Sequence, residues 1–515
     1  MSRNAPPLHF ELSVAEAFRD LLDRARFTSD GIGQYIATTE TFVVNEKTVP
    51  RVLSRTAAGT PTDTFIRLFF LSVPVSREQA ALAFAPHPLE DFARAGLIAL
   101  SDTEVTPLIQ VVPDEGGRLL FDPAGLNSEM DPDHVMGIGP SSNEVGLMMP
   151  GRFESAADLG TGCGGLAVRW ARRCGRVLAT DINPRAVLMS RYNAVVNRVD
   201  TLEVREGSLF EPLQGEQFDF ISMNPPFVLA PDRKFIFRDG GFDGDGFVQA
   251  VIRGAPAHLV PGGFLRMTVA WACVEGQRWQ DRIRSWIPPG CDAWVTTRIK
   301  QSVPTYVESW IHESEGLKGE AYRLRFNQWT EALEANGIEE IRTGLLCMRR
   351  RPESAPGGSA ATWFEAAEDI DGADHTGGLL LDRFFETRDR LAGLDDDEVL
   401  DLPFRVAPDV RFVQDTYSVG EGWVPESVVL KMTRGFHFRV AIDGRIAGVL
   451  AYCNGVRTLR SLADELAISL GANFEQLFAA VAKGSRRLAE LGFLLPPGVE
   501  VTSVPEDRRP ITTMT

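Results

Sequence analysis

The chain has 515 residues, 44% hydrophobic and 24% charged, with a formal net charge of −17; this balance excludes a disordered chain, and no apolar run reaches the ~18 residues that a membrane-crossing helix needs. The length exceeds one ordinary core and predicts roughly two to four domains. The acidity is uneven, since Gly151 to Trp310 carries 19 basic and 17 acidic residues and leaves −19 to the flanks, a field that repels phosphate backbones and disfavours extended nucleic-acid binding.

The first residues, MSRNAPPLHFELSVAEAF, lack the basic start and apolar stretch of a signal peptide, so a cytoplasmic location without membrane attachment is expected. From Ser13 to about Pro113 helical patterns (AEAFRDLLDRARF, DTFIRLFFLSV, SREQAALAFAP, LEDFARAGLIAL) lead to a strand-like TEVTPLIQVVP. This order predicts a helical N-terminal domain over residues 1–116, of winged-helix type. Residues 117–150, rich in Gly, Pro, Ser and Asp, read as a long connector into the next domain.

From Arg152 to about Arg349 strand and helix signals alternate: AADLG, LAVRWARRC, VLATDI, RAVLMSRYNAVV, LEVREGS, FDFISMN. Alternation of this kind predicts an α/β domain, residues 117–350 with its lead-in, built on a parallel sheet with helices on both faces. The Pro/Gly/Ser/Ala-rich segment 351–379 reads as a linker. Residues 380–515 read as a small α+β domain, in which Asp443 and Gly444 of FHFRVAIDGRIAGVLAYC are expected to turn a tight hairpin and two helices follow. The six cysteines of the whole chain show neither a disulfide framework nor a zinc pattern, so free thiols and no metal site are expected.

The chemistry concentrates in the middle. In AADLGTGCGGLAVRW a strand ends at Asp158, a turn holds Gly160, Gly162, Gly164 and Gly165, and a helix begins, the arrangement that brings a ligand against backbone amides. Alone, a glycine turn is equally a structural turn. Asp181 closes the next strand, 23 residues later, where its carboxylate either receives the two hydroxyls of a ribose or caps the following helix. LEVREG ends at Ser208 and Leu209, against which an adenine ring could lie. FDFIS then runs into Asn224-Pro225-Pro226-Phe227, where prolines end the sheet and stiffen the chain; this reads as a strand-terminating loop or as a site.

DLGTGCGG, TDINPRAV and NPPF, in this order, resemble the first, second and fourth motifs of the class I S-adenosylmethionine-dependent methyltransferases. The resemblance covers Gly151 to Arg349 and implies a Rossmann-like core. It assigns Asp158, Gly160, Gly162 and Gly164 to the methionine end of the cofactor, Asp181 to its ribose, and Ser208 and Leu209 to its adenine; Thr161, Ile182, Asn183 and Asn224 count among its contacts. It implies that the Asn224 side-chain oxygen and the Pro225 carbonyl accept the two N–H bonds of a planar acceptor on which Phe227 stacks. NPP(F/Y) occurs in glutamine methyltransferases of release factors and in methyltransferases of nucleobase amines, and SRYNAVVNRV resembles the release-factor and ribosomal-RNA groups.

Around this core, HVMGIGPSS (His134 to Ser142) reads as a gate over the cofactor or a linker, and RKFIFRDGGFDGDGF after NPPF as a substrate lid or an ordinary crossing loop. Tyr306, Trp310 and His312 of SVPTYVESWIHES are substrate candidates or core, with His312 a candidate base. The expected function is transfer of a methyl group to nitrogen, with a peptide, protein or small molecule favoured over nucleic acid as acceptor. A nucleobase methyltransferase, an O-methyltransferase of a natural product and a non-catalytic cofactor sensor are the alternatives. The sequence names neither the acceptor nor the oligomeric state.

Overall fold

The computed structural model describes residues 7–36, 48–115, 117–123, 131–226, 228–231, 245–352, 355, 362–368 and 370–500. The chain divides into two compact units, one of residues 1–146, 152–351 and 362–366, the other of 147–151, 352–361 and 367–515.

The first unit opens with α1 (Leu12–Arg24), α2 (Ser29–Ile36) and α3 (Thr48–Arg55). α1 buries Val14, Ala15, Phe18, Leu21 and Leu22, the three-to-four spacing of an amphipathic helix. α4 (Pro61–Phe65) starts at a capping box in which Thr60 and Asp63 satisfy each other's backbone N–H. Then come β1 (Val75–Ser76), α5 (Arg77–Phe84), α6 (Leu89–Arg94), β2 (Ile98–Leu100) and β3 (Glu104–Pro107). The small sheet is ordered β1-β3-β2, so this region joins its helices to a three-stranded antiparallel sheet; it is helical, as the sequence predicts.

Within the expected connector and its approach, regular structure forms: β4 (Gln110–Asp114) and β5 (Gly117–Phe121) make an antiparallel hairpin, and α7 (Pro140–Leu147) follows. The core then alternates: β6 (Ser155–Leu159), α8 (Gly165–Ala171), β7 (Arg176–Asp181), α9 (Pro184–Val196), β8 (Leu202–Glu206), β9 (Phe218–Met223), α10 (Gly246–Gly254), β10 (Leu259–Val274), α11 (Trp279–Arg284), β11 (Cys291–Ser302), α12 (Val303–Ser314), α13 (Gly319–Glu334), β12 (Ile338–Arg350) and β13 (Phe364–Ala367). These strands form one sheet ordered β13-β11-β12-β10-β9-β6-β7-β8. β6 through β10 pair in parallel, while β12 runs antiparallel to both β10 and β11. The chain reverses direction across the sheet between β6 and β9, so the loops at their carboxyl ends border one crevice.

α9 ties this sheet to the N-terminal region. Asn193 accepts from Leu120 N–H (2.8 Å) and donates to Leu120 C=O (2.9 Å); Asn197 accepts from Arg118 N–H (3.0 Å) and donates to Arg118 C=O (2.6 Å). Two side-chain amides thus complete the edge of β5 as a strand would. Four residues of helix rise about 6 Å and two of strand about 6.7 Å, so the spacings match.

In the second unit α14 (Gly377–Leu391) and α15 (Asp396–Leu400) precede β14 (Arg405–Val406), β15 (Val410–Ser418), β16 (Trp423–Met432) and β17 (Arg439–Ala441). α16 (Gly444–Leu450), α17 (Leu459–Leu470), α18 (Phe474–Glu490) and β18 (Leu494–Leu495) complete it. The expected hairpin at Asp443–Gly444 is instead a helix start: Asp443 accepts from the backbone N–H of Arg445 and Ile446 (2.8 and 3.0 Å) and caps α16, the alternative use of an Asp before a 3.6-residue pattern. Among the described residues no helix is long and apolar enough to cross a membrane.

Candidate functional site

β6 and β9 lie side by side in register, Leu159 opposite Met223, so the glycine turn and Asn224 emerge at the same level. The turn is held by carboxylates beneath it. Asp158, fully buried, accepts from the Thr161 hydroxyl (2.7 Å) and the Ser222 hydroxyl (2.6 Å), and Ser222 in turn accepts from the Trp170 indole N–H (2.8 Å). Burial pushes the Asp158 carboxyl up to about 6, against the pull of those two hydroxyl donors. Asp181 accepts from Gly162 N–H (2.8 Å) and Asn183 N–H (2.9 Å), and burial raises it as well.

The helix-cap reading of Asp181 passes to its neighbour: Asn183 caps α9, accepting from Arg185 N–H, and its Nδ2 donates to the Asp133 carbonyl (2.9 Å). The lead-in segment that carries His134 is therefore fastened to the second motif. His134 itself is buried, its backbone N–H bonded to Asp131.

Above these anchors the surface fits the cofactor that the sequence implies. Gly162 has φ +57°, and a Cβ placed on it would meet nothing within 4 Å; the turn is shaped to leave that space open. Each Asp181 oxygen keeps acceptor capacity beyond its backbone bonds, as a pair of vicinal hydroxyls requires. Ile182, 58% exposed beside buried Asp181, offers an apolar shelf. Leu209 holds φ +48°, an uncommon conformation for a branched residue, at the end of β8, where Gly207 N–H bonds to the Asp181 carbonyl (3.0 Å); Ser208 beside it is half-buried.

Asn224 stands on the far side of the crevice with its orientation fixed. Its Oδ1 accepts from the Thr268 hydroxyl (2.7 Å), and its Nδ2 donates to the Ser141 and Ser142 hydroxyls (3.1 and 3.0 Å). Pro225 behind it is buried; Phe227 and most of the RKFIFRDGGFDGDGF segment lie outside the described residues. Tyr306 is fully buried and its hydroxyl accepts from Leu229 N–H (2.8 Å), bracing the chain just after NPPF, and Trp310 packs edge-on to it. His312 is exposed on α12.

Sequence reasoning missed Ser222, Trp170, Thr268 and the two serines as partners. Ser141 and Ser142 stand in the quoted lead-in segment, where their hydroxyls were the available signal. Thr268 carried none, since it comes from β10, 44 residues along the chain from Asn224.

A methyltransferase small domain family matches residues 146–273, and two domain families of unknown function match residues 24–108 and 382–496. The chain is 38% identical over 127 residues to a release factor glutamine methyltransferase of Xylella fastidiosa, covering 22% of this chain and 46% of that protein. It is 32% identical over 157 residues to a ribosomal protein uL3 glutamine methyltransferase of Bradyrhizobium diazoefficiens, covering 28% and 48%. Against a Methanocaldococcus jannaschii chain named for protein N5-glutamine methylation it is 30% identical over 155 residues, covering 28% and 75%. It thus spans about half the length of the first two relatives and three quarters of the third. With the strand order, the glycine turn and these similarities in agreement, the chain belongs to the class I S-adenosylmethionine-dependent methyltransferases.

Proposed function

We propose that the chain methylates the side-chain amide nitrogen of a glutamine in a protein. The observation that carries this reading is the saturation of Asn224. A side-chain amide has two donors and two acceptor lone pairs; both donors go to Ser141 and Ser142 and one lone pair to Thr268. Among the described residues what remains is one acceptor position, so the matching group on a substrate is an N–H or O–H donor.

S-adenosylmethionine, when bound, supplies an electrophilic methyl group on a sulfonium. Asp158, Asp181 and the turn at Gly160 to Gly164 would hold it. An amide nitrogen is a weak nucleophile because its lone pair is delocalised, so the chain's task is to orient it. Asn224 Oδ1 and the Pro225 carbonyl would accept its two N–H bonds and fix its plane, and positioning is the principal catalytic contribution for such a transfer. As the N–CH3 bond forms, the S–CH3 bond of the sulfonium would break with its electron pair staying on sulfur as a neutral thioether, and one N–H proton would leave to water. The names of the relatives support glutamine in a protein, and the acidic flanks disfavour a nucleic-acid acceptor, although a nucleobase amine would present the same pair of donors.

The test is a labelled-methyl assay on cell extract separated into protein, nucleic acid and small molecules, with hydrolysis of the labelled protein to identify the modified residue. Label as N5-methylglutamine is expected, with Asn224→Ala lowering turnover about 10²-fold or more while the protein still binds S-adenosylmethionine. Label confined to nucleic acid or small molecules overturns the acceptor, and full activity in Asn224→Ala overturns the role of NPPF.

A further inference from the structure

We propose that the chain self-associates through β15, which pairs antiparallel with β15 of a second copy about a two-fold axis at Val413. β15 is an edge of the three-stranded sheet β15-β16-β17, and among the described residues no strand pairs with its other side. Edge strands are ordinarily guarded by charged side chains, lysine above all, by proline, by a bulge or by a covering segment. The sequence of β15, VRFVQDTYS, has no lysine or proline, its two charges, Arg411 and Asp415, are opposite in sign, and its residues from Arg411 to Ser418 are exposed on both faces. The register irregularity lies where Asp415 and Thr416 face β16, on the paired side. Val413 is 41% and Tyr417 50% exposed.

The occupant follows from charge. Arg411, Val413, Asp415 and Tyr417 share one face by the two-residue period of a strand. On that face Arg411 lies opposite Lys431 of β16, and Lys431 opposite Arg439 of β17, a row of three cations on adjacent strands where like charges are unfavourable. Arg439 pairs with Asp371 at 2.7 Å; no carboxylate among the described residues pairs with Arg411 or Lys431. Pairing two copies of β15 about Val413 sets each Arg411 across from Asp415 of the other copy, and Val413 against Val413. Moving the axis to Gln414 sets Arg411 across from Tyr417 and Val413 across from Asp415, so charge selects the first register. The result is a closed, isologous interface and a six-stranded sheet, a form of strand addition.

Sedimentation velocity of the full chain tests this, over loading concentrations of about 1 to 100 µM, a span suited to a small interface. The salt is set at ~0.15 M to screen the repulsion between two acidic chains. A shift from monomer to dimer with concentration is expected. Arg411→Asp and Asp415→Arg each place like charges opposite and are expected to weaken association about tenfold or more, while the double variant Arg411→Asp/Asp415→Arg restores it. Val413→Lys, with two cations at the axis, is expected to abolish it. Since these side chains are exposed, the variants should melt as the wild type does. A wild type that stays monomeric throughout, a dimer indifferent to the single variants, or a double variant that fails to recover each overturns the proposal.

Discussion

Asp158 illustrates how a single residue can be set against the stability of its own fold. Burial holds its carboxyl at about 6 in the folded state, above the ordinary aspartate value of 3.8. The stability that a raised carboxyl contributes is fully present below the unfolded value and is lost as pH rises through the folded one. At neutral pH the ionised group therefore costs on the order of 3 kcal/mol relative to its protonated form. Asp158→Asn keeps the shape and removes the charge; the Thr161 hydroxyl need only turn to accept. The variant is expected to be more stable than wild type in denaturant titrations at pH 7 to 8, with the difference vanishing toward pH 4. If Asp158 faces the cationic end of the cofactor, the same change weakens S-adenosylmethionine binding at pH 7 and flattens its pH dependence near 6. A stability difference that does not vary with pH would show that the buried charge at Asp158 is not what the fold tolerates for function.

At the scale of the element, the turn between β6 and α8 separates structure from ligand binding within three residues. Gly164 has φ +81°, and a Cβ there would stand 2.8 Å from the Ser190 hydroxyl and 3.2 Å from its Cα on α9. Gly164→Ala thus combines backbone strain with overpacking and is expected to lose about 2–4 kcal/mol. Gly162→Ala meets only the backbone strain, about 1–2 kcal/mol, because the space above it is open; yet that space is the proposed cofactor cradle. Urea midpoints and calorimetric Kd values should therefore split: Gly164→Ala chiefly unstable, Gly162→Ala chiefly deficient in S-adenosylmethionine binding by about tenfold or more. Unchanged binding in a folded Gly162→Ala protein would remove the cradle from the site.

For the molecule as a whole, what the sequence made legible depended on whether the signal was local. The helical N-terminal region and the β/α alternation of the core announce themselves by hydrophobic period, and the motifs DLGTGCGG, TDINP and NPPF by short, ordered spacing. β5 and α7 hid in a Gly/Pro/Ser-rich stretch because what stabilises β5 is distant: its edge is completed by Asn193 and Asn197, more than seventy residues along the chain. Asp443 misled because an Asp-Gly pair serves a hairpin or a helix start equally, and the deciding helix lies after it. The same non-local bonding makes packing continuous across residue 116. One apolar cluster contains Phe18, Phe69 and Phe92 together with Met189, Tyr192 and Val196 of α9, and the Tyr192 hydroxyl donates to the His9 carbonyl at 2.6 Å. Removing residues 1–123 would expose that face of α9 and strip Asn193 and Asn197 of their partners. The remainder is therefore expected to lose its cooperative thermal transition and its affinity for S-adenosylmethionine. Asn193→Leu in the full chain, which orphans the Leu120 N–H and two buried carbonyls, those of Leu120 and Cys163, is expected to cost about 2–4 kcal/mol by denaturant titration. If residues 124–515 alone melted cooperatively and bound the cofactor, the N-terminal region would be an appendage; if they do not, that region serves as one wall of the methyltransferase fold.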